Sequence, residues 1–158
     1  MKFDEAFAQL IQFEGDYSNN PADPGGETRW GITRTIAEAD GYSGDMRDFP
    51  LNAAKLLYKE HYWTPIRADE LPEAVRYAMF DAAVNSGDYQ AVLWLQRACG
   101  VKDDGAIGPV TLAAANAAQP DALKAKLIGL RLQLMTTLPS WPVFGKGWAR
   151  RLATILTF

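Results

Sequence analysis

The sequence predicts a mainly α domain, on three observations. Apolar residues recur at helical spacing in one segment after another. Gly, Pro, Asn and Asp break these segments at short intervals, as turns between helices do. No alternating strand pattern of useful length occurs, the nearest being Arg29 to Ile32. The 158 residues suffice for one domain with its own core, and residues 1–158 are read as a single domain.

Taken in order, Phe3, Phe7, Leu10 and Ile11 predict a first helix over residues 3–13, with Gly15 able to end it. Thr33 is a good N-cap for a helix through Ile36 and Ala37 that stops at Gly41. Pro50 opens a helix carrying Leu51, Ala54, Leu57, Tyr58 and His61, ended by Pro65. Pro72 opens another, whose Val75, Ala78, Met79, Ala82 and Ala83 make a small-residue face, ending at Asn85-Ser86-Gly87. Asp88 is expected to cap the next, closed by Gly100. Asp103-Asp104-Gly105 reads as a turn and Gly108-Pro109 as a helix start. Asp121 is expected to cap a longer helix through Leu134, and residues 147–157 a last short one.

Composition narrows the function. With 48% hydrophobic and 22% charged residues the chain is globular rather than disordered. Cys99 is the sole cysteine, which excludes an internal disulfide and a cysteine-rich zinc site. His61 is the sole histidine, so a Ser-His-Asp triad or a histidine metal cluster has little to draw on, and His61 reads as a packed or surface residue. No cofactor and no metal are expected. Lys2, Asp4, Glu5 and Gln9 interrupt the apolar run a secretory signal needs, so accumulation in the cytoplasm is expected.

Charge is unevenly spread. Residues 1–79 hold eight Lys/Arg against fourteen Asp/Glu, and residues 80–158 hold eight against five. From Ala122 onward there are six basic residues and no acidic one, which reads either as a solvated face or as a surface for an anionic envelope polymer.

The chemistry concentrates in residues 14–33. Glu14 follows Leu10 by four and Ile11 by three, so it continues the apolar face of the first helix. Desolvation and a helix C-terminus both push a carboxyl pKa upward, which suits a general acid. Asp23, between Asn20 and Pro24-Gly25-Gly26, has loop N–H groups to keep it charged, and Thr28 can hold a water. Two carboxylates in these contrasting states are the minimum for cleaving a glycosidic bond. Calcium binding is the weaker reading, because the spacing does not follow the EF-hand pattern. Tyr17 and Trp30 are candidate sugar-stacking aromatics and Asn85 a candidate polar cleft residue, whereas Trp63 and Trp94 read as core.

The string E-G-D-Y-S-N-N-P-x-D-x-G-G-x-T-x-x-G-I-T from Glu14 to Thr33 resembles the opening motif of glycoside hydrolase family 108, phage-type N-acetylmuramidases that cut peptidoglycan. The family pattern is E-x-G-G-Y; here Asp16 stands at a glycine, so either Asp16 or Asp23 is the second carboxylate. The Glu14, Asp23, Thr28 order also resembles the E-x8-D-x5-T triad of phage lysozymes, with a second gap one residue shorter. The stretch from Leu95 to Thr111 is similar to the family's peptidoglycan-binding part, and Phe144-Gly-Lys-Gly-Trp148-x-Arg150 to its C-terminal ending.

The resemblance implies a lysozyme-like helical domain with a catalytic loop after its first helix. Residues 1–90 would form the catalytic part and 91–158 the peptidoglycan-binding-like part. It implies Glu14 as acid with Asp23 and Thr28 as its partners, beside which Tyr17, Trp30 and Asn85 remain the substrate candidates read from the residues themselves. Peptidoglycan glycan strands are the expected partner, with envelope contact by the basic C-terminal segment, no nucleic acid and a monomeric chain. A holin-type pore or dedicated secretion would carry it to the wall. Two other classes remain open, a lytic transglycosylase and a non-catalytic wall-binding module.

Overall fold

The computed structural model describes residues 1–13, 16–19 and 26–158. The chain divides into two units, residues 3–61 and residues 1–2 with 62–158.

In the first unit, α1 (Phe3–Leu10) buries Phe3, Ala6, Phe7 and Leu10, a single helical stripe. The helix is shorter than the expected 3–13, because Phe13 N–H bonds to Leu10 O and so tightens the last turn. Three two-residue strands follow, β1 (Tyr17–Ser18), β2 (Thr28–Arg29) and β3 (Ile32–Thr33), paired antiparallel in that order. The expected single strand from Arg29 to Ile32 is instead the tip of the β2–β3 hairpin, Arg29 facing Ile32 across it.

Thr33 caps α2 (Arg34–Ala39) as expected, its Oγ1 accepting from Ile36 N–H at 3.3 Å. The other end closes through Tyr42 N–H to Ala37 O and Gly41 N–H to Glu38 O, with Gly41 at φ +90°. A 3₁₀ turn (Met46–Asp48) leads to α3 (Leu51–Tyr58), which packs on the first helix where the Phe7 and Tyr58 rings lie 5.6 Å apart. The predicted α register through His61 gives way to a π-helical turn, Lys59–Trp63, in which the chain enters the second unit.

The second unit is helical throughout its described elements: α4 (Glu73–Ser86), α5 (Asp88–Cys99), α6 (Pro109–Ala117), α7 (Pro120–Thr136) and α8 (Trp141–Ile155). α4 is buried almost all round from Val75 to Ala83, and its small residues let α5 and α7 approach closely. Trp63 and Trp94 are core, as expected, at 1% and 2% exposure. The 103–108 joint is held by Gln96, which donates to Asp104 Oδ1, Ala106 O and Thr111 Oγ1 and accepts from Gly105 N–H. The Gln96 bond to Asp104, followed by the Ala106 N–H bond to the same carboxylate, keeps the Asp104 carboxyl below its ordinary pKa.

Three helix starts differ from expectation. Gly87, not Asp88, occupies the N-cap of α5. Gln119, not Asp121, caps α7, its Oε1 accepting from Ala122 N–H at 2.6 Å while Pro120 takes the first helical position. α8 starts at Trp141 rather than near residue 147. Pro142 lies in its first turn, where no N–H is needed. Gly145 is required, since a Cβ there would fall 2.5 Å from the Trp141 ring.

Candidate functional site

Glu14 and Asp23 lie outside the described residues. Asp16, Tyr17, Thr28 and Trp30 belong to the first unit and Asn85 to the second.

The β2–β3 hairpin turns on two residues, Trp30 at φ +52° and Gly31 at φ +75°. Two positive φ angles in a two-residue loop follow the right-handed twist of the strands. Gly31 takes this conformation freely, but an indole-bearing residue does not. Trp30 is held there by its indole N–H, which donates to Phe49 O at 3.0 Å, and by its backbone N–H, which donates to Asp16 O at 3.0 Å. The Arg29 guanidinium covers the indole 4.8 Å from its centroid. With its N–H committed, Trp30 has only ring surface to offer a ligand.

Glu27 ties the strands together. Its Oε1 accepts the Tyr17 hydroxyl at 2.6 Å, and its Oε2 accepts Arg34 Nε at 2.8 Å. Arg34 Nη2 makes a second, very short contact to the same Oε2. Below them Arg34 N–H bonds to Glu27 O at 2.8 Å and closes the hairpin. The Tyr17 bond, followed by the Arg34 pair, holds the Glu27 carboxyl below its ordinary pKa, and the same bond holds the Tyr17 phenol above its own. The Arg47 guanidinium lies 5.2 Å over the Tyr17 ring. Sequence reasoning missed Glu27, Arg34 and Arg47. The signal was there in Glu27 and Arg34, which flank the hairpin symmetrically.

Thr28 pairs with Ser18 on one side and Thr33 on the other. Its hydroxyl donates to Gly26 O at 3.2 Å, so a water held by Thr28 would have to donate to the hydroxyl oxygen. Asp16 is exposed, and its carboxylate pairs with Arg29 at 3.3 Å.

In the helical unit, Asn85 is exposed and its amide donates to Asp81 O at 2.7 Å. Asn85 lines a cavity of about 120 Å³ with Trp94, Arg131, Trp148 and Arg151. Beside it lies a buried ionic cluster, in which Asp81 Oδ2 accepts Arg131 Nη2 at 2.9 Å and Asp81 Oδ1 accepts Arg151 Nε at 2.7 Å. Of the six basic side chains after Ala122, Lys124 and Arg131 are therefore buried rather than part of a solvated surface. Among the described residues no group of three or more His, Cys, Asp or Glu could hold a metal ion.

Residues 7–87 match the family model described as glycosyl hydrolase 108, and residues 90–153 match a predicted peptidoglycan domain. A comparison with curated proteins gives no match. Among solved structures, one described as Brucella abortus SagA is 34% identical, covering 98% of this chain and 91% of that one with a TM-score of 0.87. The shared fold is the mainly α, lysozyme-like class expected from the sequence. On these matches, the chain belongs to the glycosyl hydrolase 108 family and is a glycoside hydrolase that acts on peptidoglycan.

Proposed function

We propose that this protein is an endolysin-type N-acetylmuramidase. It hydrolyses the β-1,4 bond between N-acetylmuramic acid and N-acetylglucosamine. The observation that carries the reading is the acid-rich stretch from Glu14 to Thr28, set between α1 and β2 in a chain of this family. Glu14 gives its proton to the leaving glycosidic oxygen as the bond to the anomeric carbon breaks. Asp23 stays ionised and either activates water or stabilises the oxocarbenium-like centre, while Thr28 accepts a hydrogen bond from that water. Tyr17, Trp30 and Asn85 are assigned to the substrate. Residues 1–90 act as the catalytic part and 91–158 as the peptidoglycan-binding part of one domain. The wall is reached by holin-type release or a dedicated secretion route.

The hairpin carrying Thr28 is pinned by Glu27, Arg34 and Trp30, which gives a catalytic segment rigid flanks. Mass spectrometry of digested, purified peptidoglycan tests the reaction type. Products ending in reducing N-acetylmuramic acid support hydrolysis at the proposed bond. A 1,6-anhydro end would make the protein a lytic transglycosylase, and wall binding without release would make it a non-catalytic module.

A further inference from the structure

The end of α7 and the start of α8 form a corner that serves neither bond cleavage nor the core of the helical unit. Val143 is 74% exposed and Phe144 55%, and Leu134 and Leu138 are exposed as well. These side chains are linked through Trp148. Leu134, Leu138 and Trp148 line one cavity, the Phe144 ring stacks on Trp148 at 5.9 Å, and the Trp141 ring lies 6.2 Å from it. A single exposed apolar residue is ordinary, but a linked group of them marks an interaction surface.

The corner is built so that apolar surroundings cost it little. The N–H groups of Thr137, Leu138, Trp141, Val143 and Phe144 all bond to carbonyls between Leu134 and Ser140. Pro139 and Pro142 have no N–H to satisfy. The Thr136 and Thr137 hydroxyls donate back to Gln133 O and Leu134 O, each at 2.7 Å. From Leu138 to Phe144 the one polar side chain is Ser140. Backbone whose polar groups are already paired can enter a hydrocarbon boundary, and aliphatic side chains gain by doing so. A glycan, by contrast, needs polar groups that this corner does not offer.

Charge names the kind of boundary. Lys146 stands three positions after Val143 and Arg150 four after that, so all three share one face of α8, and both cations are exposed. Residues 122–158 contain no acidic side chain. Aliphatic groups at a tip, indoles beside them and cations one or two turns behind is the order that a bilayer with anionic headgroups accepts. A second copy of this chain would set its own acid-free face against this one.

We propose that the α7–α8 corner docks this protein on an anionic phospholipid surface. Leu138, Val143 and Phe144 enter the acyl boundary, and Lys146 and Arg150 meet the headgroup phosphates. The contact is peripheral, for among the described residues no helix is long and apolar enough to cross a membrane. It goes beyond bond cleavage and does not depend on it.

Vesicle co-sedimentation of the full chain tests this, with phosphatidylethanolamine–phosphatidylglycerol vesicles beside vesicles of phosphatidylcholine alone. Binding to the anionic vesicles is expected to be at least about tenfold stronger and to fall as salt rises. Val143→Glu, at a position too exposed to matter to the fold, is expected to weaken binding about tenfold or more. Lys146→Gln with Arg150→Gln is expected to erase the preference for anionic vesicles. Leu56→Glu, at a comparably exposed position in the first unit, is expected to change nothing. No binding by wild type, equal binding to both vesicles, full binding by Val143→Glu or an equal loss in Leu56→Glu would overturn the proposal. Full vesicle binding by Val143→Glu together with lost pelleting on lipid-free peptidoglycan would assign the corner to the glycan. A wild-type dimer that ignores vesicles and is split by Val143→Glu would assign it to self-association. Sugar release from lipid-free walls reports on the muramidase reading separately.

Discussion

The Tyr17 hydroxyl donates a 2.6 Å hydrogen bond to Glu27 Oε1, and the other oxygen of that carboxylate is claimed by Arg34. One carboxylate thus joins β1 to the β2–β3 hairpin, the two flanks of the segment that holds the proposed Asp23, with Thr28 in the hairpin itself. Glu27→Gln keeps the shape but removes the charge and weakens both bonds. Its expected effect is a loss of wall-clearing rate of up to the order of 10²-fold, with the overall helical signal by circular dichroism unchanged. Wild-type turbidity kinetics in this variant would show that the tie does not position the site.

The same tie sets a pH dependence. Glu27 is held below its ordinary value of 4.5, so its contribution is present above that value and fades as pH falls through the lower, folded pKa. Tyr17 is held above its ordinary value of 10.0, so its contribution is present below that value and fades as pH rises through the folded pKa. Thermal unfolding from pH 3 to pH 7 should show wild type more stable than Glu27→Gln at neutral pH. The gap should close toward the acid end. A gap that stays constant with pH would assign the difference to shape rather than charge.

Trp30 combines an unfavourable φ with a hydrogen bond that compensates for it. Trp30→Phe keeps the strain and orphans the Phe49 carbonyl, which should cost about 1 kcal/mol in urea unfolding. Trp30→Gly relieves the backbone but loses the ring and its bond. If Trp30→Phe unfolds at the wild-type urea concentration, the indole bond contributes nothing.

Asp81 is fully buried with an arginine on each oxygen. Asp81→Ala leaves Arg131, already disfavoured as a cation mainly by burial, without its counter-charge. Breaking a buried pair in this way costs about 3–5 kcal/mol. Denaturant unfolding followed by tryptophan fluorescence checks it, and a change under about 1 kcal/mol would mean that water reaches the cluster.

The helical architecture was legible in the sequence because its signals are local. Thr33, Gly41, Pro50, Pro72, Gly100 and Pro109 all stand at or next to the helix ends they imply. The errors arose where tertiary contacts decide. Gly145 and Gly147 look like helix breakers, and only the Trp141 ring against Gly145 explains why α8 runs through them. The hairpin was hidden because its tip uses Trp30 where Asn or Gly is the usual signal, and the reason lies at Phe49, nineteen residues away. Asp81 and Arg131 were not singled out, since a single charge on an apolar face gives no hint of its partner fifty residues on. In the candidate site, Tyr17, Thr28 and Trp30 are proposed on residue type, whereas the symmetry of Glu27 and Arg34 shows only once the hairpin between them is known.

Glu14 follows the α1 apolar stripe in sequence and is the proposed proton donor. The most direct measurement is release of reducing ends from purified peptidoglycan by wild type and Glu14→Gln, with folding checked by circular dichroism. Steady release by wild type and none above background by a fully folded Glu14→Gln is the expected result. Release by Glu14→Gln at the wild-type rate would contradict it.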